Sequence, residues 1–150
     1  MIFKEEVLHV LQHKLESDSK IILPSIGESM FPFIKNGDLC EFELFDIDKL
    51  KKGDIILFWT KTGELIAHRY YCNKSRNNRL YYFCKGDTNL AFDEPIESSN
   101  IIARLTFIKR KERNINVNNI AAITWGKIII LIPKLSGIVR AYLNKRSVSL

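Results

Sequence analysis

The chain has 150 residues, with 46% hydrophobic and 27% charged side chains, which is typical of one soluble globular domain with its own core. The net charge of +6 is concentrated near the C-terminal end, because residues 98–150 hold 10 basic side chains and one acidic side chain. The first 18 residues carry four acidic side chains, so we do not expect a secretory signal. We also do not expect an ordinary membrane-spanning helix, because the sequence contains no run of 18 uncharged apolar residues.

The first predicted element is an amphipathic helix over residues 3–16. His9 and His13 lie four residues apart on its polar side, but no third ligand accompanies them, so we interpret both as solvent-exposed and expect no metal. The apolar residues recur at the three-, four- and seven-residue spacings of one helical face: Val7, Leu8, Leu11 and Leu15.

After residue 19 the pattern changes to short β segments separated by turns, which predicts a mainly β fold built as a compact antiparallel domain. A polar stretch over residues 73–79 is interpreted as a loop. The predicted strands are residues 20–23, 39–45, 55–59, 65–72, 80–85 and 101–110.

The last third predicts two helical stretches, residues 120–132 and 134–146, on either side of Pro133. One interpretation is a helix pair packed on the β domain. The alternative is that residues 120–146 dock on an anionic membrane surface or an acidic partner, because aromatic and basic residues are mixed there. The basic run at residues 109–113 lacks interleaved aromatic residues, so we expect no nucleic-acid partner.

Three cysteines, Cys40, Cys72 and Cys84, have no metal-type spacing, and their odd number argues against a disulfide framework. We therefore expect a reducing compartment. A Cys72–Cys84 bridge across a hairpin is the less favoured alternative.

Ser29 lies in a turn-forming stretch, two residues after Gly27 and three before Pro32. Apolar residues follow it, which predicts a hydroxyl group at the edge of packed structure. Such a serine is either a nucleophile that needs a base from elsewhere in the chain, or a turn residue with a local hydrogen bond.

His68, in a predicted strand, is the only histidine outside the first helix and so the only unshifted neutral-pH base in the β domain. Asp87 and Asp93 lie in the turn that follows the hairpin beginning at His68, and either could fold back beside it. A structural histidine and a local aspartate cap are the alternatives.

Taken together, four stretches resemble the boxes of the signal peptidase I and LexA-type serine peptidases, in the family's order across residues 24–96. They are Gly27-x-Ser29-Met30-x-Pro32 with Gly37-Asp38, then Gly53-Asp54-Ile55-Ile56, Ala67-His68-Arg69, and Lys85-Gly86-Asp87-x-Asn89 with Asp93.

Bacterial members of this family are known for a lysine base, whereas His68 is similar to the base of the archaeal and endoplasmic-reticulum signal peptidases. The resemblance implies that Ser29 is the nucleophile and His68 the general base. Asp93 is the preferred orienting acid, and Asp87 either shares that role or braces the turn. Substrate contacts are expected near Met30, Phe31, Pro32 and Gly27, where Gly27 replaces a hydroxyl residue of many relatives.

The resemblance implies one signal-peptidase-like domain over residues 1–150. It comprises an N-terminal helix (1–18), a catalytic β core (20–112) and a basic, apolar helical segment (118–146). The family's N-terminal membrane anchor is not recognised in the sequence, so we expect a cytoplasmic protein, with peripheral association with the membrane as an alternative.

The expected function is a serine endopeptidase that removes a leader or signal segment from a peptide or protein substrate without a cofactor. The alternatives are a non-catalytic peptide-binding module of the same fold and a LexA-like self-cleaving regulator. Only 28 residues precede Ser29, with one helix and no Ala-Gly dipeptide, which disfavours the regulator.

Overall fold

A computed structural model describes residues 5–148 of the chain. Helix α1 spans Glu5–Asp18, two residues later than predicted at its C-terminal end, and residues 3 and 4 of the prediction lie outside the described residues. Leu15 is its buried anchor and packs beside Ile21 in the core. His9 and His13 are exposed, as interpreted from the sequence.

Seven antiparallel strands form one sheet in the order β1-β2-β6-β3-β4-β5, and β7 pairs with the remaining part of β6. The predicted β-rich antiparallel fold with an N-terminal helix and C-terminal helices is confirmed. The strands are β1 (Lys20–Pro24), β2 (Leu39–Glu43), β3 (Ile55–Trp59), β4 (Leu65–Arg76), β5 (Arg79–Lys85), β6 (Ile101–Arg110) and β7 (Arg113–Asn116).

The prediction of a loop over residues 73–79 is wrong. Strands β4 and β5 continue through it as a hairpin that ends with the pair Arg76 and Arg79. Asn77 and Asn78, both with positive φ (51° and 59°), form the two-residue turn. The stretch is polar because this arm of the hairpin is exposed, so it lacks the apolar alternation that marks a half-buried strand.

The central strand β3 separates two hydrophobic clusters. Ile55 and Leu57 belong to one cluster, and Ile56 and Phe58 belong to the other. Successive side chains of a strand point to opposite faces, so a continuous apolar run can contribute to both clusters. The sheet is therefore covered on both faces at β3, beside the strand that carries His68.

All three cysteines are free thiols, so the Cys72–Cys84 bridge considered from the sequence is not formed. Cys40 and Cys84 are buried, and burial raises the pKa of the Cys40 thiol to about 12.

Two helices follow the sheet, α2 (Ile120–Leu131) and α3 (Lys134–Val148). The side chain of Asn119 caps α2 by accepting from the Ala122 N–H at 2.8 Å. Across Pro133 the chain direction changes by 106°. Within residues 5–148 no single helix is long and apolar enough to cross a membrane, and α2 with α3 reaches that length and composition only as a bent pair.

Candidate active site

Ser29 lies in the serine turn, which we define as residues 25–38 between β1 and β2. The Ser25 N–H donates to the Asp38 carbonyl at 2.7 Å, which closes the base of the turn. Gly27 adopts φ +94°, a left-handed conformation that favours glycine, and its N–H donates to Asn36 Oδ1 at 3.1 Å. These bonds hold Ser29 at a fixed place at the end of the sheet.

Asp38 anchors the same turn through an ion pair. Arg110 donates to its carboxylate from Nε (2.9 Å) and Nη2 (2.7 Å), and the Lys35 N–H donates at 2.8 Å. Burial acts to raise the pKa of Asp38, but the bonds from Arg110 and Lys35 together outweigh burial and lower it. The pair therefore ties the turn to β6 with a charged carboxylate.

Ser29, His68 and Asp93 form a continuous hydrogen-bonded line. Ser29 Oγ lies 2.9 Å from His68 Nε2, and His68 Nδ1 lies 2.7 Å from Asp93 Oδ2. His68 is only 6% exposed, and its ring lies edge-on to Phe58 with centroids 6.3 Å apart. The arrangement lets the imidazole accept the serine proton at one nitrogen while the carboxylate holds the other nitrogen in the N–H form.

The closing turn, residues 86–93, contacts both sides of this line. The Thr88 N–H donates to the Ser29 carbonyl at 2.9 Å, and Asp93 at the other end reaches His68. A Cβ added at Gly86 would lie 2.8 Å from the Ser29 carbonyl oxygen. Glycine is therefore required at residue 86 for the two turns to approach this closely.

Asp87 does not bond to His68 but forms a buried ion pair with the next residue of β4, Arg69. The Arg69 Nε and Nη2 atoms donate to the two carboxylate oxygens at 2.8 and 2.7 Å, and Trp125 Nε1 of α2 donates to Oδ2 at 2.8 Å. Asp87 is 0% exposed and Arg69 3%. Of the two predicted aspartates, the structure brings only Asp93 to the histidine, while Asp87 braces the turn.

The division between the two aspartates follows from strand geometry. His68 and Arg69 are neighbours on β4, so their side chains point to opposite faces of the sheet. Asp93 reaches the face that carries His68, and Asp87 reaches the face that carries Arg69. The sequence reasoning missed Arg69 and Trp125 as partners of the turn, although the alternation of β4 could have indicated the first.

Lys85 is a further buried cation beside this cluster, 5% exposed at the end of β5. Its ammonium group lies 3.3 Å from Ser136 Oγ of α3 and 5.6 Å from the ring centroid of Tyr71. Burial lowers the pKa of Lys85, and the nearby Asp87 carboxylate opposes that shift. Burial, followed by the Asp87 charge, raises the pKa of Tyr71 to about 12.

A groove of about 550 Å³ opens beside Ser29 and His68. Of the four residues expected to contact substrate, Gly27 and Met30 line the groove, whereas Phe31 and Pro32 are not among its lining residues. Phe31 instead stacks on Tyr142 of α3, with ring centroids 6.1 Å apart. The remaining lining residues are mostly apolar: Leu23, Pro24, Ser25, Ile26, Ile34, Cys40, Phe42, Leu57, Leu65, Ile66 and Ala67.

Two strand edges border the groove. Strand β1 pairs only with β2, so its outer edge is open. Strand β5 pairs with β4 only from Arg69 onward, so residues 65–68 have an open edge opposite β3. Unpaired backbone N–H and C=O groups at such edges are ready to pair with an additional extended segment.

Comparison with known proteins relates this β-rich chain to the signal peptidases, although no family model matches it. Over 83 residues it is 31% identical to signal peptidase I W of Bacillus subtilis (strain 168). The match covers 54% of this chain and 44% of the relative, so the matched part spans less than half of the relative's length. The similarity supports a signal peptidase I-like relationship.

Proposed function

We propose that the protein is a serine endopeptidase of the signal peptidase type, with a histidine base, that cleaves a leader or signal segment from a peptide or protein substrate. The observation that carries the proposal is the unbroken line from Ser29 Oγ through His68 to Asp93, with both links under 3 Å. The line borders a groove of about 550 Å³ whose lining includes both Ser29 and His68.

In the acylation step, Ser29 Oγ attacks the carbonyl carbon of the scissile bond while His68 Nε2 accepts the hydroxyl proton. The tetrahedral intermediate then breaks its C–N bond, and the same proton passes from Nε2 to the leaving amine. Water subsequently attacks the acyl-enzyme and gives one proton to His68, and that proton returns to Ser29 Oγ as the acid product leaves. Asp93 holds the imidazole in one tautomer and stabilises its charged form.

The Ser29 backbone N–H is our candidate donor for the oxyanion. It makes no hydrogen bond within residues 5–148, and it belongs to the same residue as the attacking oxygen. Gly27, which stands where many relatives have a hydroxyl residue, brings no side-chain donor. Removing one oxyanion donor can lower a rate by about 10²–10³, so we expect modest turnover with intact nucleophile chemistry.

The substrate is proposed to bind as an extended strand in the groove, between the outer edge of β1 and the open edge of residues 65–68. Backbone pairing on both sides would align the scissile carbonyl with Ser29 whatever the peptide sequence. Selection would then come from the apolar groove floor formed by residues such as Leu57 and Ala67, which suits small apolar side chains near the cleaved bond.

A fluorophosphonate probe and a peptide library test this function on the wild-type protein and on the variants Ser29→Ala and His68→Ala. Labelling and cleavage by the wild type alone would support the peptidase. Equal peptide binding by all three proteins without labelling would overturn it in favour of a non-catalytic peptide-binding module. Shortening of the labelled protein itself would indicate a self-cleaving regulator instead.

A further inference from the structure

Helix α2 is apolar on the face that packs on the sheet and also on the face opposite to it. The packed face carries Ala122, Gly126 and Ile129, all buried. The opposite face carries Ile120 and Leu131, which are 86% and 76% exposed. A helix at the surface of a domain in water ordinarily has a polar outer face, so a second apolar environment is expected there.

Helix α3 also carries exposed apolar side chains. Ile138 and Tyr142 are 63% and 57% exposed, and their four-residue spacing places them on one helical face. Lys134 lies four residues before Ile138 on the same face. We define the helix-pair surface as Ile120, Ile123, Leu131, Ile132, Ile138 and Tyr142.

The charges of these helices have one sign. From residue 113 to the C-terminus the chain contains no aspartate or glutamate. Helical spacing places Lys127 among the exposed apolar residues of α2, and Lys134 and Lys145 on the side of α3 that carries Ile138, whereas Arg140 lies on the opposite side of α3. The five cations within the helices are Lys127, Lys134, Arg140, Lys145 and Arg146.

We propose that the helix-pair surface docks on an anionic lipid membrane, with its apolar side chains in the outer acyl region and the surrounding cations at the headgroups. Apolar area and basic charge on the same helical faces are the two requirements for binding in the plane of such an interface. A second copy of the chain fits less well, because a symmetric contact would bring the cations of both copies together, and residues 113–150 contain no acidic side chain to balance them.

The surface borders the candidate active site at two points. Tyr142 stacks on Phe31 of the serine turn, and Leu90 of the closing turn lies 3.6 Å from the position of a Cβ on Gly137. Docking would therefore hold the groove within a few side chains of the lipid. The inference goes beyond the proposed function, because lipid binding can be measured whether or not the protein cleaves a peptide.

Co-sedimentation of the full chain with vesicles tests the proposal. We expect binding to vesicles that contain anionic phosphatidylglycerol, much weaker binding to pure phosphatidylcholine, and release at high salt. The triple variant Lys127→Gln/Lys134→Gln/Lys145→Gln should lower the partition coefficient on the order of a hundredfold. Its matched control neutralises three exposed lysines elsewhere: Lys51→Gln/Lys52→Gln/Lys61→Gln.

The apolar contribution has its own matched pair. Ile138→Gln should lower partition about tenfold, whereas Val10→Gln should not change it. Both residues are apolar and exposed on a helix, at 63% and 67%. No binding to anionic vesicles, equal binding to neutral vesicles, or equal losses in variants and controls would overturn the proposal. The proposal would also be overturned if the protein formed a dimer without lipid and Ile138→Gln made that dimer dissociate.

Discussion

Trp125 of α2 donates its indole N–H to Asp87 of the closing turn at 2.8 Å. The same carboxylate is held on its other side by Arg69, the residue next to His68. A helix near the C-terminus is thereby bonded to the turn that holds both ends of the Ser29–His68–Asp93 line. The geometry of the site depends on α2 as well as on the sheet.

The variant Trp125→Phe should show this dependence. It keeps an aromatic ring but removes the donor, so Asp87 loses one of its three bonds. A hydrogen bond to a charged group contributes about 1.5–3 kcal/mol, and we expect a loss of that size in the free energy of unfolding, measured with urea. We also expect kcat to fall with little change in KM. Wild-type values of both quantities would show that α2 does not support the turn.

Two helical glycines give a matched comparison. A Cβ at Gly126 would lie 2.9 Å from Arg69 Nη1, whereas a Cβ at Gly137 would meet only Leu90 at 3.6 Å. Arg69 cannot yield easily, because Asp87 and the Gly53 carbonyl hold its guanidinium.

We therefore expect Gly126→Ala to lower the melting temperature and Gly137→Ala to raise it. The higher helix propensity of alanine should add up to about 1 kcal/mol to the free energy of unfolding of Gly137→Ala. Calorimetry on both variants measures the difference. Equal stabilisation by the two alanines would contradict the contact at Gly126.

Substitution of the two aspartates of the closing turn should change two different quantities, kcat for Asp93 and the free energy of unfolding for Asp87. Asp93→Asn leaves the fold in place but disturbs the tautomer of His68, so we expect kcat to fall by about 10²–10⁴ while the unfolding transition stays in place. Asp87→Asn leaves Arg69 buried without its full counter-charge, which should cost about 3–5 kcal/mol of stability. Denaturant unfolding and single-turnover kinetics on both variants measure the two effects, and the reverse pattern would exchange the roles we assign.

Asp38 predicts a pH dependence of stability. Its pKa is lowered in the folded state, so its stabilising effect is fully present above the ordinary carboxyl value of 3.8 and is lost as the pH falls through the lower folded value. Asp38→Ala should therefore destabilise the protein by about 3 kcal/mol near neutral pH and progressively less in acid. Urea unfolding across this range gives the difference, and a gap that widens in acid would refute the argument.

The groove makes a prediction about substrate binding. Ala67 is half-buried in its lining, so Ala67→Phe would fill part of the space between the two strand edges. We expect KM for peptides to rise at least tenfold while fluorophosphonate labelling of Ser29 continues, because the probe is smaller than a peptide. Ala141→Phe, on the exposed side of α3, is the control, and a parallel loss in both variants would remove the groove from the proposal.

The sequence predicted the elements with apolar periodicity well. Residues 55–59 and 101–110 are strands with the expected bounds, because burial imposed a pattern that local reading can detect. The arm of the β4–β5 hairpin and the short strand β7 were missed, since both are polar and exposed and are set by backbone pairing. Backbone pairing between exposed polar strands leaves no periodic pattern of apolar residues in the sequence.

The site was predicted in part for a similar reason. Ser29, His68 and Asp93 were named from their chemistry and from the resemblance, and the structure brings their side chains together. The choice between Asp87 and Asp93 stayed open because sequence distance does not say which face of a strand a turn residue reaches. Trp125 could not have been placed, since α2 lies outside residues 24–96, the part of the chain whose resemblance indicated the other residues.

The wide spacing of the three aligned side chains has a consequence during synthesis. Ser29 emerges first, its base follows 39 residues later, and the acid follows 25 residues after that. A nascent chain that ends before residue 93 carries Ser29 without the complete His68–Asp93 pair, and one that ends before residue 125 lacks the indole that bonds to Asp87. Under the proposed function, the translated order would delay peptide cleavage until residues 93 and 125 have both been synthesised.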